Sequence, residues 1–295
     1  MPAWLAAFHT TPRARAWIAS IPDQAADYLD RWRLTLDGAA MHGQASLVLP
    51  VRRRDGIPAV LKLPLIDEAQ PGEAAALRVW DGDGAVRLLD EDPETWVLLL
   101  ERVDGGRDLT AVPDDLDAVR IIADLLHRLH AHEPPPGIPR LADVADKMVA
   151  DTPRRAEAFA DPTHRQLMVR WAAATGEVAG EAGNQLLHWD LHYENVLAAT
   201  REPWLAIDPK PLAGDPGFDL LPALHDRWAD AVATGDVSRA VRCRFDLMVD
   251  RLGLDADRAL AWTRARLLQN AIWNAEDGQP GIDATQVIIS EALGT

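Results

Sequence analysis

The segment LLHWDLHYENVLAA, residues 186–199, places several chemically active side chains between two apolar stretches. A carboxylate on a loop can orient a hydroxyl and accept its proton, and carboxylate and amide oxygens are the ligands that Mg²⁺ prefers. Asp190, Asn195 and Asp208, which follows the apolar segment WLAI, are therefore candidates for one proton acceptor and two metal ligands. Read alone, the segment also fits a solvated turn, because Asp, Glu and Asn are ordinary loop residues.

The spacing within this segment is that of a kinase catalytic loop. Protein kinases carry H-R-D-x-x-x-x-N, in which the Asp is the base and the Asn binds a metal, followed later by a metal-binding Asp. HWDLHYEN has its His, Asp and Asn at the same spacings. Upstream, Lys62 ends a predicted hairpin strand and Glu73 lies on the following helix, an order that suits a buried ion pair on nucleotide phosphates. The alternative for Lys62 and Glu73 is a surface ion pair.

The elements that must position these residues change character along the chain. RWRLTLDG alternates like a strand, SLVLPV and IPAVLKLPL flank a turn at 53–56, and PGEAAALRVW has helical spacing. AVRLLD and TWVLLLE are short apolar runs that fit buried strands, whereas DDLDAVRIIADLLHRLHAH has an amphipathic helical stripe. The prediction is an α+β chain with a small antiparallel-sheet lobe containing one helix (1–100), a hinge (101–106) and a larger, mainly helical lobe (107–295).

Composition narrows the partners. The 295 residues carry a formal charge of -16, which repels nucleic acid and favours cationic or neutral small ligands. The single cysteine, Cys243, cannot form an intramolecular disulfide, and no apolar run approaches membrane-spanning length. The N-terminus lacks the pattern of a signal peptide. We expect a soluble, cytoplasmic monomer without nucleic-acid or membrane partners.

Four segments in order carry a resemblance that covers nearly the whole chain. They are GDGAVRLLD with LLLER, HWDLHYENVL, WLAIDPKPLAGDPGFDL and AIWNAEDG. With them the sequence resembles the aminoglycoside phosphotransferases, in the branch of streptomycin 6-kinases and hydroxyurea phosphotransferases. The resemblance implies a two-lobed protein-kinase-like fold and phosphorylation of a small-molecule hydroxyl that depends on ATP and Mg²⁺.

The resemblance also implies residue roles. Asp190 is the base, Asn195 and Asp208 bind magnesium, and His188 braces the loop. Lys62 contacts the nucleotide phosphates and Glu73 orients it, while the backbone from Glu101 to Val103 faces adenine. Asp219, at a predicted helix start, ties down the catalytic-loop backbone.

Other positions depart from the family pattern or match it weakly. His192 stands where kinases have a Lys that touches the transferred phosphoryl group, and Trp189 stands where the family loop commonly has Gly. No glycine-rich phosphate motif is present, so Gly43 and Ser46 are the candidates for phosphate contacts, although a bare turn would look the same. The family lines its acceptor pocket with residues that correspond here to Trp273, Asn274, Glu276 and Asp277.

Several alternatives stay open. The acidic charge is compatible with a cationic acceptor of the streptomycin type, but an amino sugar, a sugar or hydroxyurea also fits. A protein kinase is disfavoured, because Phe218 lies only ten residues after Asp208 and no A-P-E follows. A non-catalytic nucleotide-binding protein is the remaining alternative. His127, His130 and His132 form H-x-x-H-x-H, which we interpret as a solvated helix end rather than a metal site.

Overall fold

The structure, a computed structural model, describes residues 12–43, 46–64 and 72–294. The chain divides into two compact units. The first contains the described residues up to Gly82 together with Val86–Val103, and the second contains Asp83–Ala85 and the chain from Asp104 onward. This division falls within the segment 101–106, whose action as a hinge stays a prediction.

The first unit consists of an antiparallel sheet and helices. In chain order its elements are α1 (Pro12–Arg31), β1 (Thr35–Leu36), β2 (Met41–His42), β3 (Ser46–Arg52), β4 (Pro58–Pro64), α2 (Glu73–Trp80), β5 (Leu88–Asp92) and β6 (Val97–Glu101). The strand order is β1-β3-β4-β6-β5, and β2 also pairs with β3. The predicted hairpin is β3–β4, which pairs Ser46 with Pro64 and Arg52 with Pro58 around the turn at 53–56.

One helix of this unit differs from the sequence prediction. The first unit was expected to hold one helix, but α1 precedes the sheet, and RWRLTLDG contributes only Thr35–Leu36 as strand. Pro22 lies inside α1 on its exposed side. Proline is typical of helix breaks, but here the missing N–H faces away from the core and the helix continues.

The core of the first unit lies between α1 and the sheet. Trp17, Ile18, Ile21, Ala25 and Tyr28 form the buried stripe of α1, and they pack with alternate residues of three strands, namely Leu47, Leu49, Val51, Ala59, Leu61, Leu63, Val97 and Leu99. Side chains alternate between the two faces of a strand. The alternation places Lys62 on the face of β4 opposite that of its neighbours Leu61 and Leu63.

The second unit is mainly helical. Its strands are β7 (Asp104–Asp108), β8 (Gln185–Leu187), β9 (Val196–Ala198), β10 (Trp204–Ala206) and β11 (Leu212–Gly214). Its helices are α3 (Asp115–Leu129), α4 (Leu141–Ala156), α5 (Pro162–Val178), α6 (Leu221–His225), α7 (Trp228–Ala233), α8 (Val237–Leu252), α9 (Ala256–Glu276) and α10 (Ala284–Ala292). The strands form two small antiparallel sheets, β10-β9-β7 and β11-β8.

Helix packing holds the segment that carries the candidate site. The buried stripe of α3 includes Val119, Ile122, Leu126 and Leu129, and Asp114 caps its N-terminus by accepting from the Asp117 N–H. The loop before α6 lies so close to α9 that a Cβ on Gly217 would be 2.8 Å from the Ala259 Cα, so only glycine fits there.

Two further features of the described chain bear on the sequence predictions. None of the helices in the described ranges is both long and apolar enough to cross a membrane. Cys243 is exposed on α8.

Candidate active site

Asp190 lies on the loop between β8 and β9, with an ion partner that the sequence did not reveal. The Lys210 Nζ lies 2.8 Å from the Asp190 Oδ2, and the carboxylate side chain is 22% exposed. Burial raises the pKa of Asp190, but the charge and hydrogen bond of Lys210, with smaller contributions from His192 and Arg266, outweigh it and hold the pKa below its ordinary value. Asp190 is therefore ionised at neutral pH.

The amide of Asn195 is oriented by the same loop. Its Nδ2 donates to the Asp190 carbonyl at 2.9 Å, so its oxygen is the atom left for a cation. The described residues contain no group of three or more His, Cys, Asp or Glu side chains that could hold a metal. Magnesium in kinases needs few protein ligands, because phosphate oxygens complete its shell. Amide and carboxylate oxygens are ligand types that this ion accepts, and the binding of Mg²⁺ by Asn195 and Asp208 stays a prediction.

Backbone bonds join the catalytic loop to the segment that carries Asp208. The Ile207 N–H donates to the Asn195 carbonyl at 2.9 Å, and the Lys210 N–H donates to the His188 carbonyl at 3.0 Å. Asp208 itself has φ 56°, in the left-handed region that costs a non-glycine residue energy. The two hydrogen bonds on either side of Asp208 fix the segment that holds it in this conformation.

His188 is wholly buried and joins the same two segments. Its Nε2 lies 3.0 Å from the Ile207 carbonyl, and its Nδ1 accepts from the Asp190 N–H at 3.3 Å. Desolvation lowers the pKa of His188, which favours a neutral ring with its proton on Nε2. The ring thus orients the backbone of Asp190.

Asp219 holds the catalytic loop through backbone N–H groups. It is fully buried, and its oxygens accept from the His188 N–H at 2.9 Å and the Trp189 N–H at 2.7 Å. The His130 Nε2 lies 2.9 Å from the same carboxylate. The interpretation of His130 as solvated is wrong, since it is 5% exposed and part of this network; the apolar stripe of α3 carries it into the core.

Trp189 adopts φ 66°, so a bulky residue occupies the backbone conformation that suits glycine. Its Nε1 donates to the Gln269 Oε1 at 3.0 Å, and its ring lies 6.5 Å from that of Trp273. The Arg266 guanidinium lies 5.0 Å from the Trp273 ring centroid and is 6% exposed. Contacts of the side chain with α9 offset the backbone cost at Trp189.

A cavity of about 250 Å³ opens beside Asp190 within the second unit. Its wall includes His192, His225, Asp226, Arg266 and Asn270. A cavity that joins a candidate base to convergent polar groups is the arrangement expected for a small-molecule acceptor.

In the first unit, Lys62 and Glu73 form an ion pair. The Lys62 Nζ donates to the Glu73 Oε1 at 2.7 Å and to its Oε2 at 2.8 Å. Lys62 is 7% and Glu73 8% exposed, so this is a buried pair rather than the surface pair that we considered.

The remaining nucleotide candidates also lie in the first unit. The Gly43 N–H donates to the Ser46 carbonyl at 3.1 Å; residues 44–45 between them lie outside the described residues. The Glu101 N–H donates to the Arg87 carbonyl at 2.9 Å, and Val103 ends the unit. Contacts of these residues with a nucleotide stay a prediction.

The predicted acceptor residues are not all brought together. Trp273 lies on the Arg266 guanidinium near Trp189, whereas Asn274 donates to the Gly281 carbonyl at 3.5 Å. Glu276 pairs with Arg155, and Asp277 is the C-cap residue directly after α9. None of these four residues is on the wall of the cavity beside Asp190.

The sequence reading missed the residues that surround Asp190 from elsewhere in the chain. The sequence patterns assign no role to Lys210, Asp226, Arg266 or Asn270. For Lys210 the available signal was its position two residues after Asp208. For Arg266 and Asn270 the signal was their spacing of four on a helix, which puts them on one face.

Comparisons with known proteins show the family to which the chain belongs. The family model described as aminoglycoside/hydroxyurea antibiotic resistance kinase matches residues 31–278. Streptomycin 6-kinase of Streptomyces glaucescens is 54% identical over 279 residues, which cover 95% of this chain and 91% of that protein. Hydroxyurea phosphotransferase of Kitasatospora aureofaciens is 48% identical over 281 residues, which cover 95% of this chain and 80% of that protein.

Solved structures support the fold. A thermostable mutant of an aminoglycoside phosphotransferase, crystallised as a ternary complex with ADP and hygromycin B, has a TM-score of 0.65. It is 14% identical, and the match covers 91% of this chain and 97% of that one. The predicted protein-kinase-like α+β fold is confirmed, and with it the class of small-molecule kinases. The chain belongs to the aminoglycoside/hydroxyurea antibiotic resistance kinase family.

Proposed function

We propose that this protein transfers the γ-phosphoryl group of ATP to a hydroxyl of streptomycin and thereby inactivates the antibiotic. The observation that carries the proposal is the 54% identity to a streptomycin 6-kinase over 95% of the chain. The ionised Asp190 beside a polar cavity supports the same activity. The location in the cytoplasm, the monomeric state and the absence of nucleic-acid partners stay predictions.

Asp190 acts on the acceptor. Its carboxylate accepts a hydrogen bond from the acceptor hydroxyl and takes the proton as the new O–P bond forms, while the bond from the γ-phosphorus to ADP breaks and ADP leaves. Phosphoryl transfer passes through a loose transition state, so orientation of the hydroxyl matters more than the strength of the base. The low pKa of Asp190 fits this role, since it keeps the carboxylate ionised for orientation. His188 and Asp219 keep the loop backbone in place.

The other predicted residues bind the nucleotide and its metal. The ammonium of Lys62, oriented by Glu73, binds phosphate oxygens. Asn195 and Asp208 would hold Mg²⁺, which when bound neutralises charge on the β- and γ-phosphates. Gly43, Ser46 and the backbone of Glu101 to Val103 are proposed to bind the rest of ATP, and His192 is proposed to approach the transferred group.

Hydroxyurea is the second candidate acceptor, because the hydroxyurea phosphotransferase of Kitasatospora aureofaciens is 48% identical. It differs from streptomycin in size and charge. The identity to the streptomycin 6-kinase, 54%, is higher and favours streptomycin as the acceptor.

The test is the formation of ADP with ATP, Mg²⁺ and each acceptor, with mass spectrometry of the product. We expect phosphorylated streptomycin from the wild type, at least 10³-fold less from Asp190→Ala, and the wild-type rate from Asp246→Ala, an exposed carboxylate on α8. Equal rates from wild type and Asp190→Ala would contradict the mechanism. Product from hydroxyurea alone would favour the second candidate.

A further inference from the structure

Asp226 is a carboxylate on the wall of the cavity, and among the described residues no basic side chain forms an ion pair with it. Its Oδ2 accepts from the Tyr193 N–H at 2.7 Å. Arg244 donates to the Asp226 carbonyl at 2.6 Å rather than to its carboxylate, since its Nε binds Asp115 at 2.8 Å. Within the described ranges, no Lys or Arg side chain forms an ion pair with the Asp226 carboxylate.

The surroundings of Asp226 make its charge costly. Burial is the main reason that its pKa rises to about 7, and Glu194 and Asp115 raise it further, against the opposing effects of the Tyr193 N–H and Arg244. A carboxylate in this position gains more from an incoming cation than a solvated one would, because water does not already satisfy it.

Two other basic side chains on the described part of the wall, His225 and Arg266, do not pair with Asp226. Burial lowers the pKa of His225 to about 4, so its ring is neutral, and its Nε2 is buried without a hydrogen-bond partner among the described residues. Arg266 is held by Asn270 at 3.0 Å and by Gln269, and it lies under the Trp273 ring. The cavity therefore has a fixed cation at one place and the uncompensated carboxylate of Asp226 at another.

We propose that Asp226 determines acceptor specificity by binding a guanidinium or ammonium group of the acceptor in the cavity beside Asp190. The inference rests on the proposed function and narrows its substrate class to cationic acceptors. A guanidinium presents several N–H donors to a carboxylate and supplies the missing counter-charge, whereas a neutral acceptor leaves Asp226 unpaired.

A pH dependence follows from the geometry. Only the ionised carboxylate binds a cation, and below neutral pH Asp226 is mostly protonated in the free protein. A guanidinium stays charged throughout. The affinity for a cationic acceptor should therefore rise about tenfold between pH 6 and pH 8, as the ionised fraction rises. His192 and Asp190 share the cavity wall, so their contributions must be separated by a variant.

Asp226→Asn is the informative variant, because its amide oxygen can still accept from the Tyr193 N–H while the charge is gone. Binding of streptomycin is measured by calorimetry without nucleotide at pH 6 and pH 8, and kcat/KM is measured for streptomycin and for neutral hydroxyurea. We expect streptomycin to bind at least tenfold more weakly to Asp226→Asn at pH 8, without the rise from pH 6. The ratio of kcat/KM for streptomycin to that for hydroxyurea should fall at least tenfold.

Each contrary result has a distinct meaning. If both acceptors lose kcat/KM in parallel and streptomycin binds the variant as tightly as the wild type, Asp226 only supports the loop and the inference is wrong. Normal phosphorylation of streptomycin by Asp226→Asn would overturn the inference and leave the proposed function intact. Binding that depends on Asp226 without phosphate transfer would do the reverse, and no binding of streptomycin to the wild type would refute both.

Discussion

The Asp219 carboxylate shows how one buried side chain can hold the loop that carries Asp190. It accepts two consecutive backbone N–H groups, from His188 and Trp189, and contacts the His130 ring. The position of Asp190 depends on these bonds, since Asp190 follows Trp189 directly.

Asp219→Ala should destabilise the protein and slow catalysis together. It leaves two buried N–H groups unsatisfied, each worth about 1–3 kcal/mol, so we expect a loss of about 3 kcal/mol in the free energy of unfolding. Urea denaturation and kcat provide the measurements. Asp219→Asn keeps one acceptor oxygen, so its stability and its kcat should lie between those of the wild type and those of Asp219→Ala. An Asp219→Ala variant as stable as the wild type would contradict this role.

Lys210 should affect rate more than stability. Its side chain is 41% exposed, but its ammonium contacts the Asp190 carboxylate. We expect Lys210→Met to lower kcat by up to about 100-fold, because Asp190 loses the contact that orients it. Lys210→Arg restores a charge at this place and should recover most of the rate. If Met and Arg variants were equally slow, the charge would not be what matters.

At the scale of elements, α1 is joined to the sheet by both apolar packing and a buried polar contact. The Tyr28 hydroxyl donates to the Asp92 Oδ2 at 2.6 Å, and Arg31 lies at the same distance from that oxygen. The hydrogen bond from Tyr28, with smaller help from the Glu94 N–H and Arg31, lowers the pKa of Asp92. The end of α1 is thereby tied to the end of β5.

This contact predicts an acid-sensitive part of the stability. Because the folded-state pKa of Asp92 is depressed, its contribution is present above the ordinary value of 3.8 and is lost as pH falls through the folded-state pKa. Tyr28→Phe should cost about 1.5–3 kcal/mol at pH 7, and the difference from wild type should shrink in acid. Unfolding by urea at pH 7 and at pH 3 measures both. A difference that does not change with pH would contradict the explanation.

At the scale of the whole molecule, the predicted ATP residues divide between the two units. Lys62 and Glu73 belong to the first unit, and Asn195 and Asp208 to the second. Because Asn195 and Asp208 are predicted to hold Mg²⁺, ADP should stabilise the protein much more with the metal than without it.

With ADP and Mg²⁺ at 100 times the dissociation constant, we expect a gain of about 2.7 kcal/mol in stability. Chelation of the metal with EDTA should remove most of the gain, and Asp208→Asn should show little of it even with Mg²⁺. Thermal unfolding followed by circular dichroism measures the shift, with Asp246→Ala as the matched control. An equal shift with and without EDTA would argue against a magnesium site.

The sequence reveals what is close along the chain. His188, Asp190 and Asn195 lie within eight residues. The alternating pattern of β4 and the helical spacing of α2 together predict the Lys62–Glu73 pair. The same local signals predict β3, β4, β5, β6 and α3. The family motifs add the protein-kinase-like fold, because four segments match in order.

Contacts between residues that are distant along the chain could not be predicted from the sequence. Nothing local joins Lys210 to Asp190, His130 to Asp219, or Asp226 to the cavity, because each contact depends on how distant elements pack. α1 was not predicted for another reason. It contains a proline, and its stability comes from packing against the sheet rather than from intrinsic helix propensity.

Cys243, the single cysteine of the sequence, is a natural position for a fluorescent label. Cys243 is exposed on α8. Its neighbour Arg244 is fully buried and donates a hydrogen bond to the Asp226 carbonyl. A thiol-reactive fluorophore would therefore attach to one position, without any engineered mutation, one residue from the side chain that supports the cavity wall. Its emission could follow the arrival of an acceptor in real time.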